Sequence, residues 1–179
     1  MVMIRLNGNG KGKEYYNNGK LKFEGEYLNG KRWNGKGYNI NGNIEFEIKE
    51  GKGYIKEYAY FGELSFEGEY LNGERNGKGK EYNYAGKLSF EGEYLNGTRN
   101  GKGKEYYNNG KLKFKGEYFN GLKNGKGKKY YDSGNLKFEG EYLNGKRNGK
   151  GKEYYNNGKL KFEGEYLNGL KKWKSKRIF

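Results

Sequence analysis

The sequence predicts an all-β fold: an elongated, single-layer antiparallel meander of tandem β-hairpin repeats with about fourteen strands. Apolar and charged residues alternate in short runs, Asn-Gly pairs separate these runs, and glycines recur with a period of 24 residues. Alternation with a period of two is typical of strands, and a fixed period of this length is typical of repeat architectures. The periodic glycines are Gly53, Gly77, Gly101, Gly125 and Gly149.

The repeat fills most of the chain. The best-formed copy starts at Gly149 and reads GKGKEYYNNGKLKFEGEYLNGLKK. We predict a capping strand at residues 1–9, a repeat array at 10–172 and a basic tail that caps the other end at 173–179, because the ends of a repeat array need protection. The predicted copies are 10–34, 35–52 (degenerate), 53–76, 77–100, 101–124, 125–148 and 149–172. The predicted cap residues are Val2, Ile4 and Leu6 at one end and Trp173, Ile178 and Phe179 at the other.

Each copy is predicted to contain two strands and two different connections. The run at 160–166 alternates Leu, Phe, Gly and Tyr with Lys and Glu, which predicts one apolar and one charged face. The Asn-Asn-Gly-Lys segment at 156–159 predicts a tight hairpin. The segment at 143–149, which leads from one copy to the next, predicts a looser connection.

A glycine interrupts the apolar face of each full copy, as at Gly140. Glycine weakens a strand, so we expect it to make room for a neighbouring ring that lies flat on the backbone. In the degenerate copy Ile48 would fill that space, and regular packing is expected only after it. The first tyrosine of each Tyr-Tyr pair is kept in all full copies, whereas the second becomes Ala59 and Asn83. This difference predicts that the first ring is needed for the structure and that the second can be replaced.

The alternation of Phe-Glu-Gly-Glu-Tyr-Leu-Asn-Gly with Asn-Gly-Lys-Gly-Lys-Glu-Tyr-Tyr resembles the MORN repeat (membrane occupation and recognition nexus). The resemblance covers roughly residues 10–172, and Tyr-Tyr-x-Asn-Gly-Lys is similar to a variant found in bacterial and viral chains. Two features depart from the family pattern: Asn replaces the usual His before Gly-x-Gly, and the period is 24 rather than the more common 23. The resemblance implies an elongated, twisted sheet with a groove, and a scaffold that binds a protein partner.

The residue inventory argues against catalysis. The chain has no His and no Cys, which removes the commonest general base, the commonest neutral metal ligand and any thiolate. Gly-Lys-Gly-Lys lacks the spacing and the Ser or Thr of a phosphate-binding loop. Recurring carboxylate pairs such as Glu67 and Glu69 are expected to pair with lysines on neighbouring strands. We therefore expect no enzyme activity, no cofactor and no metal site.

The positive charge is concentrated in one half of the chain. The net charge is +15, with −3 in residues 35–76 and +13 in residues 101–179. This basic half predicts binding to anionic phospholipid headgroups, with Lys111, Lys113 and Lys115 as candidate contacts. Solubility of a sheet with little core explains the same charge equally directly. Nucleic acid is disfavoured as a partner because the aromatic residues fall in the apolar register rather than between lysines.

A single-layer sheet cannot cover both of its faces, and accessible aromatic rows are typical of binding surfaces. The leading hypothesis is a scaffold that binds a protein or peptide partner along an aromatic groove. The alternatives are a peripheral membrane module that uses the basic half, an antitoxin-like protein, and rings that only stack on one another. Homo-oligomers could form through the sheet edges. The candidate groove residues are Tyr82, Tyr94, Tyr106, Tyr118, Tyr130 and Tyr142, with Leu95, Phe119 and Leu143 at the rim.

The sequence predicts neither a signal peptide nor a membrane-spanning helix. The first seven residues are too short and too polar for a signal peptide. No run approaches the ~20 apolar residues that a spanning helix needs. We expect a cytoplasmic protein, with a peripheral position at a membrane as the alternative.

Overall fold

The computed structural model describes residues 8–172 and confirms the all-β repeat fold. The described residues form fifteen β-strands and no helix, close to the expected fourteen. The predicted cap residues at 2–6 and 173–179 lie outside the described part of the chain. The chain divides into two compact bodies, residues 1–98 and residues 99–179.

The N-terminal body consists of antiparallel strands that pair in chain order. Four strands form one sheet: β1 (Gly10–Tyr15), β2 (Leu21–Leu28), β3 (Lys31–Tyr38) and β4 (Ile44–Ile48). The next four pair in the same way: β5 (Gly53–Tyr58), β6 (Leu64–Leu71), β7 (Glu74–Tyr82) and β8 (Leu88–Leu95). Between β4 and β5 the strand pairing is reduced to an isolated bridge between Lys49 and Lys52.

The C-terminal body repeats this pattern with regular spacing. Its strands are β9 (Thr98–Tyr106), β10 (Leu112–Phe119), β11 (Leu122–Tyr130), β12 (Leu136–Leu143), β13 (Lys146–Tyr154), β14 (Leu160–Leu167) and β15 (Leu170–Lys172). β9 begins at the last residue of the N-terminal body. Each strand pairs with the next in antiparallel register. β15 is formed by the last residues of the copy 149–172, which are equivalent to the first residues of β13, and it is the fifteenth strand.

Of the two connections in each copy, the one expected to be loose is tight, and the one expected to be tight is the longer loop. The Leu-Asn-Gly segment closes a two-residue hairpin, with φ of 48° at Asn144 and 81° at Gly145. Positive φ at both central residues defines the type I′ turn, which matches the twist of the flanking strands. The Asn-Asn-Gly-Lys segment is the longer loop, and within it only Gly158 has a positive φ. The prediction of a loose connection at 143–149 was wrong because residues 146–148 extend β13 instead of forming a loop.

Strand alternation gives each body two chemically different faces. We call one the ring face, because it carries the phenylalanines, the strand glycines and the most buried tyrosines. We call the opposite one the ladder face, because lysines and glutamates pair there across strands, as in Lys128–Glu139 at 3.0 Å and Lys152–Glu163 at 3.1 Å. The expected pairing of the glutamates with lysines is confirmed at these positions. The ring-face phenylalanines are Phe23, Phe46, Phe66, Phe90, Phe114, Phe138 and Phe162.

Glycines on the ring face let phenylalanine rings lie against the backbone, as expected from the sequence. Gly116 and Gly127 are partners on neighbouring strands. A Cβ on Gly127 would lie 2.6 Å from Cζ of Phe114, and a Cβ on Gly116 would meet the same atom at 2.6 Å. Phe114 is therefore only 1% exposed. Pairs of facing glycines create the core of a sheet that has only one layer.

The degenerate copy interrupts this packing in the N-terminal body. Ile48 of the degenerate copy and Ile55 at the start of the next copy stand where the other copies have glycine, and they are buried in a cluster with Phe23 and Phe46. The branched side chains fill space that rings occupy in other copies. The pairing of β4 with β5 is reduced at the same place, and facing glycines follow on β6 and β7, at Gly68 and Gly79.

Candidate binding site

A glutamate, a tyrosine and a cation form a recurring group on the ring face. In the copy at 53–76 the Tyr70 hydroxyl donates a hydrogen bond to Glu57. The Arg75 guanidinium donates to both Glu57 oxygens at 2.8 Å and lies 4.0 Å from the centroid of the Phe66 ring. Equivalent groups are Glu14 with Tyr27 and Arg32, and Glu105 with Tyr118 and Lys123.

Sequence analysis missed this group because its members lie far apart in the chain. The tyrosine follows the glutamate by 13 residues and the cation follows it by 18. The available signal was that the Lys-Glu-Tyr glutamate recurs in five of the six full copies. The exception is the copy at 125–148, which has Lys129 at this position.

Ion pairing controls the pKa of these glutamates. Burial raises the pKa of Glu57, but hydrogen bonds and the positive charge of Arg75 outweigh burial and lower it. Burial likewise opposes the effect of Lys123 on Glu105, whose pKa is also lowered. The ionised carboxylate is therefore the form that stabilises the folded chain.

We expect the protein to lose stability as the pH falls below about 4.5, the ordinary pKa of these carboxyls. A carboxyl whose pKa is lower in the folded state stabilises the fold above its unfolded pKa and loses this effect as the pH falls through the folded pKa. Thermal unfolding followed by circular dichroism between pH 7 and pH 3 measures it. Glu57→Gln, which cannot ionise, should reduce the pH dependence. An unfolding temperature that is constant across this range would contradict the prediction.

A second pair on the ring face joins the second tyrosine of a copy to a lysine six residues later. The Lys137 ammonium lies 4.7 Å from the centroid of the Tyr131 ring, and the Tyr131 hydroxyl donates to the carbonyl of Tyr154 at 2.9 Å. Where the sequence replaces this tyrosine, at Ala59 and Asn83, it also replaces the lysine with serine. If the tyrosine and the lysine form a cation–π pair, we expect the lysine to be replaced in the copies that lack the tyrosine.

The six tyrosines predicted to line one groove lie on two faces. Tyr94, Tyr118 and Tyr142 lie on the ring face, are 4%, 4% and 8% exposed, and pack edge-on against phenylalanines. Tyr82, Tyr106 and Tyr130 lie on the ladder face, where the Tyr82 hydroxyl donates to Glu67 at 2.6 Å. The prediction that all six share one face was wrong. Each ladder-face tyrosine directly follows a ring-face residue, and adjacent strand residues point to opposite faces.

The three predicted rim residues lie beside the type I′ hairpins. Leu95, Phe119 and Leu143 are 48%, 57% and 48% exposed. Each directly follows a buried ring-face tyrosine, which places it on the ladder face. In the C-terminal body Phe119 pairs with Leu122 across the hairpin, and Leu122 is 49% exposed. In the C-terminal body Phe119, Leu122 and Leu143 are accessible apolar residues, separate from the buried tyrosines with which Phe119 and Leu143 were grouped, and Leu95 has the equivalent position in the N-terminal body.

The three predicted lipid-binding lysines also occupy different places. Lys111 lies in a loop, and its ammonium donates to the carbonyl of Ser133 at 2.9 Å. Lys113 lies on the ring face, with Nζ 5.8 Å from the centroid of the Tyr107 ring. Lys115 lies on the ladder face. The separation of Lys113 from Lys115 follows from a register shift between Leu112 and Phe114, which turns the Lys113 side chain toward the rings.

The copy at 125–148 departs from the recurring group. Lys129 stands where the other full copies have the glutamate, and the described residues provide no hydrogen-bond partner for the buried hydroxyl of Tyr142. Burial lowers the pKa of Lys129, and the nearby charges of Lys137, Lys123, Arg147 and Lys113 lower it further. These cations form a positively charged cluster on the ring face, at the place where other copies have the glutamate, and we call this place the recess.

The same recess does not suit a metal ion, because its charged groups are cations. In residues 8–172 no group of three or more Asp, Glu, His or Cys side chains is arranged to hold a metal. Nor does this part of the chain contain a helix with the length and apolar character needed to cross a bilayer. The arrangement is suited to binding an anionic group through ammonium, guanidinium and hydroxyl donors.

Repeated hairpins that differ mainly in their ring-face side chains define a tandem-repeat protein. The sequence model of the MORN repeat matches residues 66–86, 90–111, 114–136 and 138–159, and the model of the MORN repeat variant matches residues 8–29. These matches together cover more than half of the chain, which therefore belongs to the MORN-repeat family. Proteins built from this repeat often take part in protein or membrane-lipid interactions. No curated protein matches the chain.

Proposed function

We propose that the chain is a non-enzymatic scaffold that binds a protein or peptide partner along its ring face. One observation carries the proposal: each regular copy of the C-terminal body holds a cation over a phenylalanine ring on this face. The distances to the ring centroids are 4.3 Å for Lys123, 4.2 Å for Arg147 and 4.6 Å for Lys171. Side chains that are already held in place lose less conformational entropy on binding.

The spacing of these cations favours an acidic segment as the partner. Successive cations lie two strands apart, or about 9.6 Å, and an extended peptide rises about 3.3 Å per residue. A partner chain that crosses the strands would therefore present an acidic residue at about every third position. The absence of His and Cys from the sequence supports a binding role rather than catalysis.

A pair of charge reversals on one strand tests this proposal. Lys113→Glu changes the ring face and Lys115→Glu changes the ladder face, two residues away on β10. We expect the partner recovered with the tagged wild-type chain to be lost from Lys113→Glu and retained by Lys115→Glu, because only the first substitution repels an acidic segment on the ring face. Quantitative mass spectrometry of the recovered proteins measures both. Equal recovery by the two folded variants would refute binding through the ring face.

The second candidate function is binding of anionic phospholipid through the ladder face. Lys115 pairs with Lys104 on one neighbouring strand and with Lys128 on the other, so three lysines lie side by side. Each basic residue close to an anionic membrane contributes about 1 kcal/mol.

This candidate predicts the opposite response of the same two variants. Lys115→Glu should abolish co-sedimentation with phosphatidylserine vesicles at low salt, whereas Lys113→Glu should retain most of it. Binding should also decrease as salt is added, because exposed charges are screened. Absence of vesicle binding by the wild-type chain at low salt would eliminate the membrane function and leave the protein-binding proposal intact.

A further inference from the structure

The recess around Lys129 has the form of a carboxylate site without its carboxylate. In the preceding copy Glu105 occupies this place: one of its oxygens accepts a hydrogen bond from the Tyr118 hydroxyl at 2.8 Å, and the other pairs with Lys123 at 2.9 Å. At the equivalent place in the copy at 125–148, Lys129 replaces the glutamate, while the tyrosine and the cation are kept as Tyr142 and Arg147.

The Tyr142 hydroxyl shows what the recess lacks. Tyr142 is 8% exposed, its ring packs between those of Phe114 and Phe138, and its hydroxyl has no hydrogen-bond acceptor among residues 8–172. Arg147 lies close enough to influence the Tyr142 pKa, but a guanidinium only donates and cannot accept the hydroxyl proton. A buried hydroxyl without an acceptor is unfavourable, so the recess favours a ligand that accepts a hydrogen bond.

The charge around Tyr142 requires that ligand to be an anion. The positive charges of Lys113, Lys123, Lys137 and Arg147 all act on Lys129. Within residues 8–172, two of these five side chains form ion pairs. Lys123 pairs with Glu105 at 2.9 Å, and Arg147 pairs with Glu153 at 3.7 Å. Among residues 8–172, no carboxylate lies within ion-pair distance of Lys113, Lys129 or Lys137. Lys129 and Lys137 are also half-buried, and an uncompensated, partly desolvated cation attracts a counter-charge strongly.

The last copy also has a buried tyrosine hydroxyl without a partner, but unlike the copy with Lys129 it keeps the glutamate. The Tyr166 hydroxyl is also buried without a partner, but its copy retains Glu153, which binds Lys171 at 2.9 Å and lies 3.7 Å from Lys161. An internal carboxylate therefore balances the cations of that copy. The copy with Lys129 combines an unpartnered hydroxyl with an excess of positive charge.

We propose that the carboxylate of an acidic side chain from a protein partner enters this recess and binds Lys129, Arg147 and the Tyr142 hydroxyl. A carboxylate fits because the glutamates of the other copies already show two oxygens bridging a tyrosine and a cation at this place. The inference rests on the proposed function, since it assigns one anchoring contact to a partner on the ring face. The partner would therefore have an Asp or Glu side chain that binds the copy 125–148.

The test uses the full chain and a fluorescein-labelled hexaglutamate peptide, with binding followed by fluorescence anisotropy at low salt. Lys129→Glu restores the residue of the other copies and supplies an internal carboxylate, so peptide affinity should fall by about tenfold or more. Tyr142→Phe removes only the hydroxyl and should weaken binding by about fivefold. Lys115→Glu changes the net charge by the same amount on the ladder face and should have an effect of less than about twofold.

Equal losses for Lys129→Glu and Lys115→Glu would show general electrostatic attraction and overturn the inference, as would unchanged binding by Tyr142→Phe or no binding by the wild-type chain. Competition separates the two sources of an anion. Acetate should displace the peptide at least as well as inorganic phosphate, and stronger displacement by phosphate would overturn the choice of a carboxylate. The outcome is independent of the partner recovery above: loss of that partner from Lys113→Glu but not from Lys129→Glu would reject this contact alone.

Discussion

Gly127→Ala is expected to lower the free energy of unfolding by about 3 kcal/mol, the upper part of the usual range for overpacking a core. The new methyl group would lie 2.6 Å from Cζ of Phe114 and 3.2 Å from Cε2 of Tyr142. The Phe114 ring cannot move away from the new methyl group, because it already lies against Gly116 of its own strand, β10. Urea unfolding followed by tyrosine fluorescence measures the loss.

Gly8→Ala provides the matched control for this substitution. A Cβ at Gly8 would meet no heavy atom within 4 Å, and Gly8 is not among the residues with positive φ. Its effect should stay within about 0.5 kcal/mol, as is usual for surface substitutions. If the two variants unfold at the same urea concentration, the facing glycines are not required by ring packing.

Phe138→Ala is expected to cost about 4 kcal/mol, because it removes a fully buried ring and leaves a cavity. Phe138 is 0% exposed. Its ring contacts those of Tyr142 and Tyr166, each with a centroid distance of 5.4 Å, and supports Arg147 at 4.2 Å. The substitution therefore removes packing within one copy and between neighbouring copies.

Phe162→Ala is the comparison for that prediction. Phe162 occupies the same position in the last copy but is only half-buried, and less apolar surface is lost on truncation. We expect it to cost about half as much as Phe138→Ala. Equal costs would contradict the view that neighbouring copies supply much of the packing energy, which nearest-neighbour stacking in repeat proteins requires.

Much of the fold was predictable because the same sequence pattern recurs in several copies. The 24-residue period located the copies, and alternation identified the strands. The recurring strand glycine correctly indicated rings that lie on the backbone, as Phe114 does over Gly116 and Gly127. Facing lysines and glutamates were correctly expected to pair across strands. The last two features depend on residues of the same strand or of adjacent strands, so short stretches of the sequence are enough to predict them.

The sequence by itself determined the repeat, its strands and the residues available for binding, whereas the tertiary structure decided which of those residues share a face. Tyr82 and Tyr94 were grouped by their chemistry, but strand parity places them on opposite sides of the sheet. A register shift in β10 sends Lys113 to the ring face and leaves Lys115 on the ladder face. Only the antiparallel register brings Lys129 beside Tyr142 and Arg147, because residues 13 and 18 positions apart meet through pairing between strands. Local sequence sets the direction of each strand residue, but bulges and register set its neighbours.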